Sequence, residues 1–206
     1  MKNCALIGGG EFAKAAFDAR TFEYVIALDG GYRYVAPHAD VLVGDLDSLG
    51  YCPQGIEVLR HNPHKDQTDL ELGIETAVAR GYRELHLFGV LGKRLDHTIA
   101  ALTACVAAAK RGISVTVHGV GQTVYFVTDR LQLTGRQDCY LSVFAFEPTR
   151  VSASGVEYPL DNMLLQGDMP IGVSNEMLAA EIPVTVTQGC AIVIVQEKDN
   201  RALDRI

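Results

Sequence analysis

The 206-residue sequence has no tryptophan, no CxxC pair and no apolar run of membrane-spanning length, and its 18 Lys and Arg are outnumbered by 25 Asp and Glu. Each shortage removes a class of function. Without about 20 consecutive apolar residues, no segment is expected to cross a membrane as a helix. Cys4, Cys52, Cys105, Cys139 and Cys190 are odd in number and widely scattered, which fits neither a disulfide framework nor the ligand spacing of a zinc site. They read as small buried hydrophobes. A formal charge of −7 disfavours nonspecific nucleic-acid binding, for which phosphate backbones select basic surfaces. It leaves room for a small anionic substrate accompanied by metal ions. The opening MKNCALIGGGEFAK lacks the long apolar core and cleavage site of a secretory signal, so a cytoplasmic location is expected. Gly8, Gly9 and Gly10 complete neither GxGxxG nor GxxxxGK[ST], and as a nucleotide signal the segment is weak.

The remaining composition, 48% hydrophobic and 21% charged, is that of an ordinary globular chain. Short apolar runs at 3–7, 24–28, 41–43, 57–59, 84–88 and 114–117 read as strands. Helices are expected at 69–80 and 96–111, each preceded by a polar cap candidate and stopped by Gly81 or Gly112. Strands alternating with helices imply a mostly parallel sheet covered on both faces. After about residue 120 the runs become short, β-branched or aromatic: 122–127, 130–133, 140–145, 150–154, 183–187 and 191–196. The expected fold is therefore α/β plus β: an N-terminal Rossmann-like, mostly parallel α/β/α domain over 1–120, then a C-terminal antiparallel β-sandwich over 121–206.

Acidic residues follow the strands of the first domain, at the carboxyl ends where open α/β sheets bind ligands. Asp29 follows 24–28. Asp45 and Asp47 follow 41–43, and a spacing of two puts both carboxylates on one side if the chain stays extended. Asp66 and Asp69 precede one helix and Asp96 the next. Such a cluster repels itself unless cations occupy it, and magnesium, a hard ion that bridges carboxylates to phosphates, fits best. Lys65, Lys93 and Arg94 stand ready for phosphate oxygens the metal leaves uncovered. Each residue also has a plainer reading: Asp29-Gly30-Gly31 as a tight turn, Thr68 with Glu71 as a capping box, Asp96 as an N-cap and His118 as a structural histidine.

ALDGG at 27–31, GDLDS at 44–48, KDQTD at 65–69 and GKRLDH at 92–97, followed by SGVEYPL at 154–160 and VSNE at 173–176, resemble in order and spacing the thiamine pyrophosphokinase family. The resemblance implies an ATP-dependent enzyme with an ATP- and Mg2+-binding catalytic domain and a second domain that helps hold thiamine. It also implies a homodimer whose sites form between chains. By the same resemblance Asp45, Asp47 and Asp69 hold magnesium. Asp29, Gly30, Lys65, Asp66, Thr68 and Arg94 bind the nucleotide, and Asp69, Arg94 and Asp96 face the reacting groups. Ser174 and Asn175 contact the aminopyrimidine of thiamine.

The implied reaction moves the terminal pyrophosphate of ATP to the thiamine hydroxyl, releasing AMP, with Asp69 or Asp96 as the proton acceptor. Three positions depart from the family pattern. His64 stands where an acid is frequent, Lys93 replaces the second glycine of a Gly-Gly-Arg segment, and Ala101 sits where asparagine is common. Without tryptophan, stacking on the acceptor falls to Tyr, Phe or an aliphatic side chain. The alternatives are a sister pyrophosphokinase acting on another hydroxyalkyl heterocycle such as a pterin, and an inactive nucleotide- or thiamine-binding regulator. The latter is disfavoured because Asp45, Asp47 and Asp69 are all present.

Overall fold

The computed structural model describes residues 2–60, 67–137, 139–168 and 170–198. The chain forms two compact units, Met1–Val120 and Gly121–Ile206. In the first unit the elements run β1 (Asn3–Ile7), α1 (Lys14–Asp18), β2 (Tyr24–Leu28), a 3-10 turn (Asp29–Gly31), α2 (Tyr32–Val35), β3 (Val41–Gly44), β4 (Glu57–Arg60), α3 (Asp69–Ala79), β5 (Glu84–Phe88), α4 (Leu95–Lys110) and β6 (Ser114–Gly119). The strands pair in parallel in the order β6-β5-β1-β2-β3-β4.

β1, β2 and β3 are almost continuously buried, as expected of parallel strands covered on both faces. Ala5, Ile7, Val25, Ala27, Leu42 and Phe88 join Tyr32 and Val35 of α2 in one cluster. On the other face Gly73 of α3 lies against Leu28 and Leu6, so close that a Cβ there would fall 2.5 Å from Leu28 Cδ2. A reciprocal capping box starts α3. The Glu71 amide donates to Thr68 Oγ1 at 3.3 Å, and the Thr68 amide donates to the Glu71 carboxylate at 2.8 Å. α3 and α4 both end before a glycine in the left-handed region, Gly81 at φ +89° and Gly112 at φ +78°, the C-terminal stops that the sequence predicts. Asp96 is not the N-cap of α4. Arg94 holds that position and Asp96 lies within the first turn.

The chain leaves β1 towards β2 but returns after β4 to the other side of β1 as β5, so the carboxyl ends of β1 and β5 bound a topological switch point. Gly8 donates to the Phe88 carbonyl at 2.8 Å and Gly10 to the Gly89 carbonyl at 2.6 Å. A Cβ on Gly8 would lie 2.6 Å from the Gly89 oxygen. The glycine run therefore answers first to the close approach of two backbones.

The second unit contains β7 (Gln122–Val127), β8 (Arg130–Thr134), β9 (Cys139–Phe144), β10 (Thr149–Ala153), β11 (Leu160–Leu165), β12 (Asn175–Glu176), β13 (Glu181–Gln188) and β14 (Ala191–Glu197). All its pairings are antiparallel, in the orders β12-β9-β14-β7 and β11-β10-β13-β8. Inward residues of both sets, among them Leu141, Val143, Val193 and Val195 on one and Val151, Leu165, Ile182 and Val184 on the other, share one buried cluster. The fold is thus a sheet-dominated α/β fold with a separate antiparallel sheet. Among the described residues no helix is long and apolar enough to cross a membrane.

Candidate active site

The carboxyl ends of β2 and β3 carry the first carboxylates. Asp29 opens the 3-10 turn directly after β2, at φ +41° and only 8% exposed. Gly44 closes β3 close beside it, where a Cβ would stand 3.1 Å from Asp29 Cβ. The following residues do not continue extended, which is the condition on which a spacing of two puts the Asp45 and Asp47 carboxylates on one side. Leu46 takes φ +70° and buries its side chain in the cluster beneath β1 and β2. Hydrophobic burial of Leu46 sets that turn. The turn brings Asp45 and Asp47 together, the Asp47 amide donating to Asp45 Oδ1 at 3.1 Å. Ser48 Oγ donates to Asp47 Oδ1 at 3.0 Å, and Arg33 donates to the Ser48 carbonyl at 2.5 Å.

Asp29, Asp45 and Asp47 each present a carboxylate oxygen, and these oxygens lie within 4.8 Å of one another. Asp69, in the first turn of α3, completes the charge cluster. Its burial, together with the charges of Asp29, Asp45 and Asp47, pushes its carboxyl up to about 6. Oδ1 of Asp29 is buried and has no hydrogen-bond partner among the described residues. Converging carboxylates with an unsatisfied buried oxygen are costly unless a cation neutralises them. An all-oxygen donor set of this kind suits a hard divalent ion such as Mg2+.

Asp29, Asp45 and Asp69 line a cleft of about 700 Å³, which also takes in Gly8–Gly10, Gly30, Thr68, Gly92–Arg94, His97 and Ala101. Arg94 Nε and Nη2 clamp the two oxygens of Asp96 at 3.1 and 2.6 Å, and this pairing holds the Asp96 carboxyl down at about 2. Asp96 thereby faces Arg94, and the structure does not bring it together with the other aspartates. Lys93 Nζ donates to the Gly9 carbonyl at 2.9 Å. Lys65 and Asp66, with His64, lie outside the described residues. Arg33 and Tyr34, which line the same cleft, have no motif of their own in the sequence; their only signal is that they stand two and three positions after ALDGG. The Tyr34 ring stacks on Phe12 at 4.7 Å and its hydroxyl donates to the Gly10 carbonyl at 2.9 Å.

Ser174 and Asn175 belong to the second unit. Ser174 sits at φ +55°, and its amide donates to Ser142 Oγ at 2.9 Å. The buried Asn175 side chain is spent on the backbone of Tyr158: Oδ1 accepts from its amide at 2.9 Å and Nδ2 donates to its carbonyl at 2.7 Å. It thereby fixes a tyrosine that is 72% exposed. Of the non-glycine residues with positive φ, Asp29, Leu46, Lys93 and Ser174 each fall in one of the motif segments, and strain of this kind gathers at functional sites.

Residues 19–117 match the thiamin pyrophosphokinase catalytic domain, and residues 129–192 match the thiamin pyrophosphokinase vitamin B1 binding domain. Thiamin pyrophosphokinase 1 of Caenorhabditis elegans is 24% identical over 183 residues, spanning 78% of this chain and 74% of its own. The thiamine pyrophosphokinase of Bacillus subtilis (strain 168) is 22% identical over 138 residues, spanning 65% of this chain and 64% of its own. The crystal structure of a Bacillus subtilis thiamine pyrophosphokinase superposes with a TM-score of 0.83 at 20% identity, covering 96% of this chain and 100% of that one. Yeast thiamin pyrophosphokinase superposes at 0.78 and 12% identity, covering 100% and 89%. At these identities the superpositions speak for the fold, while the matched domains, in the same order along one chain, speak for descent: the chain belongs to the thiamin pyrophosphokinase family.

Proposed function

We propose that the chain is an ATP-dependent thiamine pyrophosphokinase, converting thiamine and ATP to thiamine diphosphate and AMP. The observation that carries the reading is the carboxylate cluster of Asp29, Asp45 and Asp47, coupled to Asp69, at the carboxyl ends of parallel strands. The match of residues 129–192 to a vitamin B1 binding domain favours thiamine over a pterin as acceptor. On this reading the first unit is a Rossmann-like catalytic domain and the second a β-sandwich that helps hold thiamine. The protein works in the cytoplasm, where ATP is supplied.

Asp45, Asp47 and Asp69 would hold Mg2+, with Asp29 supporting them from its buried position. Bound Mg2+ supplies charge neutralisation at the phosphate oxygens. Gly30, Lys65, Asp66, Thr68 and Arg94 bind the nucleotide. The thiamine hydroxyl oxygen bonds to the β-phosphorus while the bond from that phosphorus to the α–β bridging oxygen breaks, and AMP departs with the bond electrons. The transition state is loose, so alignment and electrostatics dominate. Asp69 is the better proton acceptor, because Asp96 is spent on Arg94, which holds its carboxyl down at about 2. Asp96 instead orients Arg94. In the second unit Ser174 and Asn175 form the thiamine side, Asn175 by holding Tyr158 in place, and in a homodimer that side would be lent to the partner's cleft.

The test is incubation with ATP, Mg2+ and thiamine, following AMP and thiamine diphosphate by chromatography. Both products should form in equal amounts, with turnover reduced by at least about 10²-fold in Asp45→Ala and Asp69→Ala. AMP appearing only with a pterin alcohol would move the enzyme to a sister reaction, and no AMP with any acceptor would contradict the reading.

A further inference from the structure

The cations along the cleft differ in what engages them. Arg33 is bound to the Ser48 carbonyl within the loop that carries Asp45 and Asp47. Arg94 is paired along one edge of its guanidinium, through Nε and Nη2, with Asp96. Lys93 is exposed and reaches from the loop before α4 to the carbonyl of Gly9, 84 positions away in sequence, at 2.9 Å. Its side chain thus joins the loops that follow β5 and β1, on either side of the switch point where an open α/β sheet takes its ligand. A neutral carbonyl is a weak partner for an ammonium compared with an anionic oxygen.

The backbone of Lys93 makes its presence more pointed. It stands at φ +57°, a conformation that glycine adopts freely and that costs any residue with a Cβ. The side chain is not buried, so packing does not repay that cost. Strain kept at an exposed cation in a cleft suggests a role for the cation itself. Asp29, Asp45 and Asp69 line the same cleft, and a polyphosphate entering beside them requires positive charge that those residues do not supply.

We propose that Lys93 is a substrate-binding residue that contacts the polyphosphate of ATP, its ammonium exchanging the Gly9 carbonyl for a phosphate oxygen. The inference rests on the ATP-dependent reading above and adds a cation to the nucleotide set.

The experiment compares Lys93→Gly, Lys93→Met and Lys93→Arg with the unaltered protein, by calorimetric titration with Mg-ATP, by thermal midpoint and by KM for each substrate. Lys93→Gly relieves the backbone and should raise the midpoint by about 2–4 °C, yet weaken Mg-ATP binding about tenfold. Lys93→Met should weaken binding equally, and Lys93→Arg should retain most of it. KM for ATP should rise in the first two variants while KM for thiamine stays unchanged. A stability gain paired with an affinity loss is not what a purely structural lysine gives. Retained affinity in Lys93→Met would assign any loss in Lys93→Gly to loop freedom and overturn the proposal. Equal Mg-ATP affinity in all four proteins would overturn it alone, whereas an unaltered protein that does not bind Mg-ATP would overturn it together with the reading beneath it.

Discussion

Asp69 is the residue whose surroundings say most about the site. Burial and three neighbouring carboxylates raise its carboxyl to about 6, against about 3.9 for an unfolded aspartate. An acid raised on folding is disfavoured when ionised, so its cost is absent below about pH 4, grows as pH rises and is complete above about pH 6. Without divalent metal, Asp69→Asn should therefore raise the thermal midpoint at pH 7 by about 3 °C, the shift that roughly 1 kcal/mol produces in a chain of this size, allowing for partial solvent screening. The gain should vanish at pH 4. Saturating Mg2+ should stabilise the unaltered protein at pH 7 and the variant much less. Differential scanning fluorimetry across pH, with and without Mg2+, checks all three.

The grouping of Asp29, Asp45 and Asp47 was legible in the sequence because all three follow successive apolar runs, at the carboxyl ends where open α/β sheets take ligands. The way Asp45 and Asp47 meet was not. It depends on Leu46 at φ +70°, a conformation that leucine disfavours locally and that only its burial in the finished core imposes. Asn175 hid its role in the same manner. Nothing in VSNE announces that its amide is consumed by the Tyr158 backbone.

Among elements, the 3-10 turn at Asp29–Gly31 is the most tightly constrained. A Cβ on Gly31 would collide with the Ile7 carbonyl at the end of β1. Backbone cannot move aside as a side-chain tip can, so Gly31→Ala should cost about 2–3 kcal/mol and displace Asp29. Urea unfolding should show a lower midpoint, and Mg2+ titration a weaker site. Thr68→Ala is a milder test: losing the reciprocal cap of α3 should cost about 1 kcal/mol, read in the same urea experiment.

β1, β2 and β3 were legible as continuous apolar runs, since a strand buried on both faces needs no alternation. β11 was not. LDNMLL carries Asp161 and Asn162 on exposed positions, Asn162 stands at φ +44°, and the register against β10 shifts between Val151 and Ala153. A bulged strand of this kind breaks the period by which strands are recognised. β12 has two residues and offers no period to read.

For the whole molecule, the proposed homodimer with shared sites makes a prediction that neither residues nor elements can make alone. Asp45→Ala and Asn175→Ala proteins should each be inactive as pure dimers. Mixed and re-equilibrated, they should recover about a quarter of the unaltered activity, because half the dimers are then mixed and each mixed dimer assembles one intact site from its two chains. No recovery on mixing, in a protein that sediments as a dimer, would place each complete site within one chain.

The most direct test of the account is the fate of the individual phosphates. ATP labelled in turn at the α-, β- and γ-phosphorus is incubated with thiamine, Mg2+ and the protein, and thiamine diphosphate is isolated. The account predicts that β and γ labels enter thiamine diphosphate together and in equal amount, with all of the α label in AMP. Transfer of the γ label alone, leaving ADP, would contradict it.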